Sequence, residues 1–396
     1  MIKMLRESTI KDTLDTLLEL AVGHDWSGFD QHDSLNSRLF NNTIVTEYRL
    51  TRLALVQLGV KSPLNIRKII GVNTQVNPKT LALYLSGCLD LYRVYGDDIY
   101  RNVALRLIEL IKHEGSEDYS GSCWGYAFPW QARAFYLPSG TPTIVTTSFV
   151  ANSLLDAYES LGREDARSLA VSSCDFITND LNRFETDKEL CFSYSPIDHT
   201  MVHNASMLGA QLLSRVGRLI DNRDYFETAT KVVRFSLNHQ SDEGAWYYGM
   251  ANYQNWIDNL HTGYIIDCLR DYIDFTGELW PQPNLELGFN FYKNNLFLID
   301  GTPKYYDNSI YPIDVHCCAQ GIITFANAKF HENRAEQIDF SRSVAQKTFE
   351  YLWNTKGYFN FQKKRLYTNK INYLRWGQAW MFRALSSLLF NSITKD

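Results

Sequence analysis

Several clusters in this sequence hold ionisable and aromatic side chains at spacings that suit proton transfer. The fullest is Trp256-Ile257-Asp258-Asn259-Leu260-His261-Thr262-Gly263-Tyr264. On a helix beginning near Asp258, residues 258 and 261, and 261 and 264, are three apart, so a carboxylate, an imidazole and a phenol share one face. Histidine exchanges a proton near neutral pH, Asp258 can orient it or raise its basicity, and Tyr264 can donate to a leaving oxygen. The same spacing also has a structural reading, in which Asp258 caps the helix and His261 bonds a neighbouring loop. Asn259 is expected among the polar lining.

Asp198, His199, His203 and Asn204 form a second cluster. His199 and His203 are four apart and share a face if helical, a spacing that suits sugar binding, proton transfer or a zinc pair, although Thr200-Met201-Val202 between them lacks a general base. In the third cluster Asp314 and His316 precede Cys317 and Cys318. Two thiols beside an imidazole are a possible zinc set, but adjacent helical residues point about 100° apart, which turns one of them into the core. The expectation is no metal and no cofactor, with Asp314 and His316 as polar lining.

Binding apparatus is expected in two places. Trp124, Tyr126, Trp130 and Arg133 lie in a long loop over residues 121–147, and Arg375-Trp376 repeats the pairing of ring and guanidinium. Aromatic faces stack pyranose rings, and arginine grips a carboxylate or phosphate with two bonds. Asp30 and Asp33, near His32 and Asn36, supply carboxylates that either face Asp258 across a mouth or only shape turns and a cap.

These clusters share a rhythm of aromatic pair, polar loop and small-residue helix. Apolar periodicity predicts helices over 3–22, 45–56, 80–95, 97–113, 148–161, 164–181, 203–216, 223–238, 258–275, 283–295, 315–326, 341–355 and 376–390, with a short strand or hairpin within 358–374. Six helical hairpins follow. Each buries its apolar face only against its neighbours, and closure into a ring would bring the polar loops to one mouth. The expectation is an all-α single domain over residues 1–396, with at most short β-hairpins in its loops.

Composition narrows the partners. Hydrophobic residues make up 45% of 396 and aromatic residues 14%, enough for a large core and an aromatic cleft. A net charge of −5 without a Lys/Arg block gives no broad footprint for nucleic acid or anionic membrane. No run approaches the roughly 20 apolar residues of a membrane span, and the first residues lack a signal-peptide core, so a cytoplasmic location is expected. The seven cysteines, an odd number, read as reduced thiols. Phosphate-binding, dinucleotide and serine-elbow motifs are missing.

The hairpin phrases at Trp256 to Tyr264, at Tyr311-Pro312-Ile313-Asp314-Val315-His316 and at Arg375-Trp376-Gly377-Gln378-Ala379-Trp380-Met381 resemble those of the (α/α)6-toroid carbohydrate-active superfamily. That group includes six-hairpin glycosidases, N-acylglucosamine and uronyl epimerases, polysaccharide lyases and relatives in bacterial surface-polysaccharide biosynthesis. The resemblance implies an (α/α)6 toroid acting on a saccharide or oligosaccharide, with epimerisation as the leading reaction. His261 and His199 would then be the acid/base pair, Tyr264 and Tyr126 alternates, and Arg133 the carboxylate clamp. Hydrolysis through Asp258 with Asp30 or Asp314, β-elimination, and a noncatalytic glycan-binding scaffold are the alternatives. Oligomeric state stays open.

Overall fold

Short and long connections alternate along the chain, and that alternation builds the architecture. The computed structural model describes residues 5–40 and 43–394. Its helices are α1 (Glu7–Gly23), α2 (Ile44–Glu47), α3 (Arg49–Lys61), α4 (Pro78–Tyr95), α5 (Asp98–His113), α6 (Ile144–Leu161), α7 (Glu164–Asp175), α8 (His203–Ile220), α9 (Arg223–Asn238), α10 (Asn259–Thr276), α11 (Gln282–Asn295), α12 (Val315–Ala326), α13 (Arg334–Leu352) and α14 (Trp380–Ile393).

Helices α4, α6 and α8 each hand over to the next helix through two residues: Gly96-Asp97, Gly162-Arg163 and Asp221-Asn222. The first of each pair is left-handed, with φ of 66°, 67° and 53°, and its N–H closes the helix just ended. A residue in that conformation turns the chain at once, and glycine adopts it without steric cost. Asp97 and Asn222 then cap the helices that follow. The long connections, over 24–77, 114–143, 181–202, 239–258, 296–314 and 353–379, therefore gather at the opposite end.

Helices α4, α6, α8, α10, α12 and α14 pack in that order, and α14 returns to pack on α4. They are apolar nearly all round, as helices enclosed on every side must be; α4 is buried from Pro78 through Leu91. Outside them lie the less completely buried α5, α7, α9, α11 and α13, each beside the inner helix before it. The sixth outer position belongs to α1, which packs on α14, so the two ends of the chain make the last hairpin.

Strands are confined to loops, as expected. Gln362–Lys363 pairs antiparallel with both Thr368–Asn369 and Ile313–Asp314, which ties the predicted hairpin to the start of α12. Predicted boundaries shift where local chemistry intervenes. The helix predicted over 341–355 begins earlier, at Arg334, because Asn333 caps it by accepting from the Glu336 N–H. The helices predicted over 164–181 and 376–390 each contain a widened π turn, at Phe176–Asp180 and Leu374–Ala379. The segment predicted as one helix over 45–56 is split into α2 and α3 at Tyr48.

No helix among the described residues is long and apolar enough to cross a membrane. The end of the ring away from the long loops is closed by ion pairs between inner helices, including Arg215 with Asp156 at 2.7 Å and Arg383 with Asp90.

Candidate active site

Because the long loops all precede inner helices, the amino-terminal ends of those helices point at one mouth. The cavity there has a volume of about 590 Å³, within the roughly 300–1,000 Å³ common for small-ligand sites. Inner helices contribute Lys79, Asn204, His261, Tyr264 and His316 to its walls, and the π turn before α14 contributes Arg375 and Trp376. Loop aromatics, among them Tyr126, Trp130, Tyr248 and Trp256, complete the lining, and α3 forms one side with Leu53, Val56 and Val60.

Asp258 is both the cap of α10 and the partner of His261. Its Oδ1 accepts the His261 backbone N–H at 2.9 Å, and its Oδ2 lies 2.6 Å from His261 Nδ1. Trp256 donates its indole N–H to the same Oδ2 at 2.9 Å. With Asp258 ionised, Nδ1 carries the proton and Nε2 is left as the basic nitrogen. Tyr248 packs edge-on to the imidazole at 4.6 Å and stacks on Trp256, also at 4.6 Å, so the ring is held on two sides. Asp258 thus makes both the cap bond and the side-chain bond to His261.

A parallel arrangement starts α12. Asp314 Oδ1 accepts the His316 backbone N–H at 2.8 Å and the Trp376 indole N–H at 3.1 Å, while Gln362 donates to Oδ2 at 2.5 Å. Here the carboxylate does not reach the imidazole. His316 Nε2 pairs instead with the Tyr264 hydroxyl at 2.8 Å, and its ring stacks on Trp380 at 4.2 Å. Burial, with Lys79, Arg375 and His261 nearby, holds His316 well below the usual histidine range and therefore neutral. The Asp198 copy has diverged further: it accepts from Ser195 and Thr200 and only closes its own loop.

Of the residues expected from sequence, the cavity brings together Asp258, His261, Tyr264, Tyr126, Trp130, Arg133, Asn204, His316, Arg375 and Trp376. The others stand outside its walls, each for a physical reason. His199 is exposed on the 181–202 connection, so the expected pairing of His261 with His199 has no geometric support. Trp124 is buried, with its indole donating to the Ile111 carbonyl. His203 is buried against Phe235, with ring centroids 5.5 Å apart. Asn259 bonds the Leu296 carbonyl and accepts from Tyr292. Asp314 is buried behind Trp376 and Gln362. Asp33 receives Arg67, and Asp30 receives Arg375 through Nε and Nη2, so neither faces Asp258 as a free carboxylate. Burial opposes ionisation of Asp30, but Arg375 overrides it and keeps the carboxyl below its usual value.

Lys79 was not anticipated. It sits at the second position of α4, where a cation opposes the helix dipole, and that misfit was its only trace in the sequence. Tyr194 and Tyr248 also line the cavity. Among the described residues no three His, Cys, Asp or Glu side chains are placed to hold a metal ion. Cys317 and Cys318 are buried, and burial pushes the Cys318 thiol up to about 12.

No protein-family model matches the chain, and no curated protein does. Solved structures do. A sugar epimerase from a ruminal bacterium superposes with a TM-score of 0.63 at 13% identity, covering 81% of this chain and 89% of its own. The cellobiose 2-epimerase of Bacillus thermoamylovorans B4167 gives 0.62 at 11%, covering 81% and 88%. An unsaturated glucuronyl hydrolase specific for heparin gives 0.62 at 11%, covering 98% and 96%. The chain has the (α/α)6-toroid fold. At these identities the likeness fixes the architecture of the toroid and leaves its chemistry to the cavity.

Proposed function

We propose that this toroid is a carbohydrate-active enzyme that epimerises or isomerises a saccharide by acid/base proton transfer. One observation carries the reading: Asp258 is the sole carboxylate among the described residues lining the cavity, and it is committed to His261 and Trp256. Hydrolysis by a carboxylate pair needs a second acid about 5 to 10 Å away. The cavity offers instead an oriented imidazole, a second imidazole bonded to a phenol, and aromatic walls for a sugar ring. Its open volume also favours a ligand site over a purely structural scaffold.

In this reading His261 Nε2 removes the proton from the carbon next to the carbonyl of a ring-opened sugar or of a uronate. The electron pair moves onto the carbonyl oxygen, and Tyr264, with His316 behind it, supplies the proton that this oxygen needs. A proton delivered to the opposite face of that carbon, as the enol oxygen returns its proton to Tyr264, gives the epimer; in a ring-opened sugar, protonation of the former carbonyl carbon as the adjacent hydroxyl gives up its proton yields the isomer. Nothing is oxidised or reduced overall. The expected setting, cytoplasmic synthesis or modification of a bacterial surface polysaccharide, belongs to this proposal.

The test is incubation in deuterium oxide with a panel of aldoses, N-acyl sugars, uronates and disaccharides, followed by NMR. Deuterium entering one carbon without cleavage is expected, with His261→Gln slowing it about 10²- to 10⁴-fold while melting as the wild type does. Release of a reducing end without deuterium at carbon would assign the cavity to hydrolysis.

A further inference from the structure

Three rings on three different inner helices, Phe149 of α6, Tyr264 of α10 and Trp380 of α14, pack together beneath the cavity. Each touches the other two, with centroids 5.3 to 5.7 Å apart. Tyr264 lines the cavity and all three rings line a smaller one of about 200 Å³, so together they stand as a partition between the two. The amine of Lys79 rests on this partition, 4.0 Å from the centroid of Phe149, 5.1 Å from Trp380 and 5.5 Å from Tyr264.

No described carboxylate pairs with it, and Asp30 attracts it only from a distance. Among the described residues no carboxylate lies within ion-pairing distance of Lys79, although the side chain is only 3% exposed. The nearby Asp30 already gives both oxygens to Arg375. Arg375 itself repels the amine, and the helix dipole at the start of α4 does the same. Burial and Arg375 hold the amine well below the usual lysine range. Aromatic faces attract a cation but replace only part of its lost hydration. A buried amine whose charged form is disfavoured and that no carboxylate pairs is costly to keep, and at a cavity wall a ligand can supply the anion that restores its charge.

We propose that Lys79 is a specificity-determining residue that binds an anionic substituent of the sugar at the cavity wall. The inference rests on reading the cavity as a saccharide site, and it narrows the substrate class to acidic sugars. The exposed Arg133, its guanidinium 5.1 Å from the Trp256 ring, stands at the cavity wall as the rival anchor.

Titration calorimetry of the full chain with D-glucuronate, D-glucose 6-phosphate and D-glucose tests this. One acidic sugar should bind about ten- to a hundred-fold more tightly than glucose, the value of one charge-assisted bond; which one does so distinguishes carboxylate from phosphate. Lys79→Met and Lys79→Gln should abolish that preference without lowering the melting temperature, since they remove a buried amine that no carboxylate pairs. Equal binding of all three sugars overturns the proposal. So does a preference that survives both substitutions, and its loss in Arg133→Gln would move the anchor to that residue. A large fall in melting temperature in both Lys79 variants also overturns it, because an amine that stabilises the free protein has a partner there. Failure of deuterium exchange would sink the epimerase reading and leave the binding result standing.

Discussion

Asp258 is joined to His261 twice, once through each carboxylate oxygen: Oδ1 accepts the backbone N–H and Oδ2 meets the ring nitrogen Nδ1. The first bond belongs to the start of a helix and the second, in the proposed reading, to a proton-transfer dyad, so the two roles can be separated by substitution.

Asp258→Asn keeps one acceptor oxygen but places an NH2 where a second acceptor is needed, in either orientation of the amide. Turnover should fall by about 10²-fold or more with little change in stability. Asp258→Ala removes the cap as well and should cost about 1 kcal/mol of stability. Paired measurements of kcat and of the denaturant midpoint check this. Equal stability losses in the two variants would count against the double role.

Tyr264→Phe strips the partner from the buried His316 Nε2. An orphaned buried group of this kind costs about 1 to 3 kcal/mol. The loss in kcat should exceed any change in KM, because the hydroxyl is needed when charge develops on the substrate oxygen and less when substrate binds.

Arg375 and Asp30 form a buried pair, with the guanidinium also lying 5.2 Å from the Tyr126 ring and 5.4 Å from the Trp376 ring. Arg375→Met strands a buried carboxylate and should cost about 3 to 5 kcal/mol. Adding Asp30→Asn should return part of that loss, since the stranded charge is then gone. Thermal melts of the two single variants and the double variant measure the coupling.

Architecture was legible in the sequence because it follows from repeated local events: a cap such as Asp258, a left-handed stop such as Gly96, and apolar periodicity between them. The cavity lining was legible where neighbours are local, as in Asp258, His261 and Tyr264, which lie at the cap and in the first two turns of α10. It was illegible where ring closure does the assembling. Lys79 acquires its meaning only when α6, α10 and α14 bring three rings beneath it. His199 and Asp30 failed as expected cavity residues for the converse reason, since spacing along the chain does not reveal exposure on a loop or an arginine arriving from residue 375.

His203 should make the protein sensitive to acid. Burial, with His239 nearby, lowers it to about 3, well under the 6.5 of a free histidine, and His32 is lowered to about 4, burial again being the largest cause. The unfolded chain therefore binds more protons than the folded one below pH 6.5. The stability due to neutral His203 is present above 6.5 and is lost as pH falls toward 3, at up to about 1.4 kcal/mol per pH unit for each histidine. His203→Phe should flatten the stability profile between pH 6 and about 3.5 by close to one proton, read from denaturant midpoints at several pH values. An unchanged slope would mean that His203 does not titrate this way.

Ring closure itself can be tested at Gly87 of α4, which faces Phe382 of α14. A Cβ at Gly87 would lie 2.6 Å from two atoms of the Phe382 ring and 3.1 Å from Ser386 Oγ. The phenyl ring is packed on Tyr84, centroids 4.7 Å apart, so it has little room to retreat. In an unhindered helix Gly→Ala gains about 1 kcal/mol. Overpacking at a tight core contact costs about 1 to 3 kcal/mol, so Gly87→Ala should be neutral to destabilising by about 2 kcal/mol in spite of the better helix former. Phe382→Leu shortens the opposing side chain and should turn the same glycine substitution into a gain. A double-mutant cycle in denaturant should show favourable coupling of at least about 0.5 kcal/mol; strict additivity would mean that the closing seam of the ring yields more readily than its packing indicates.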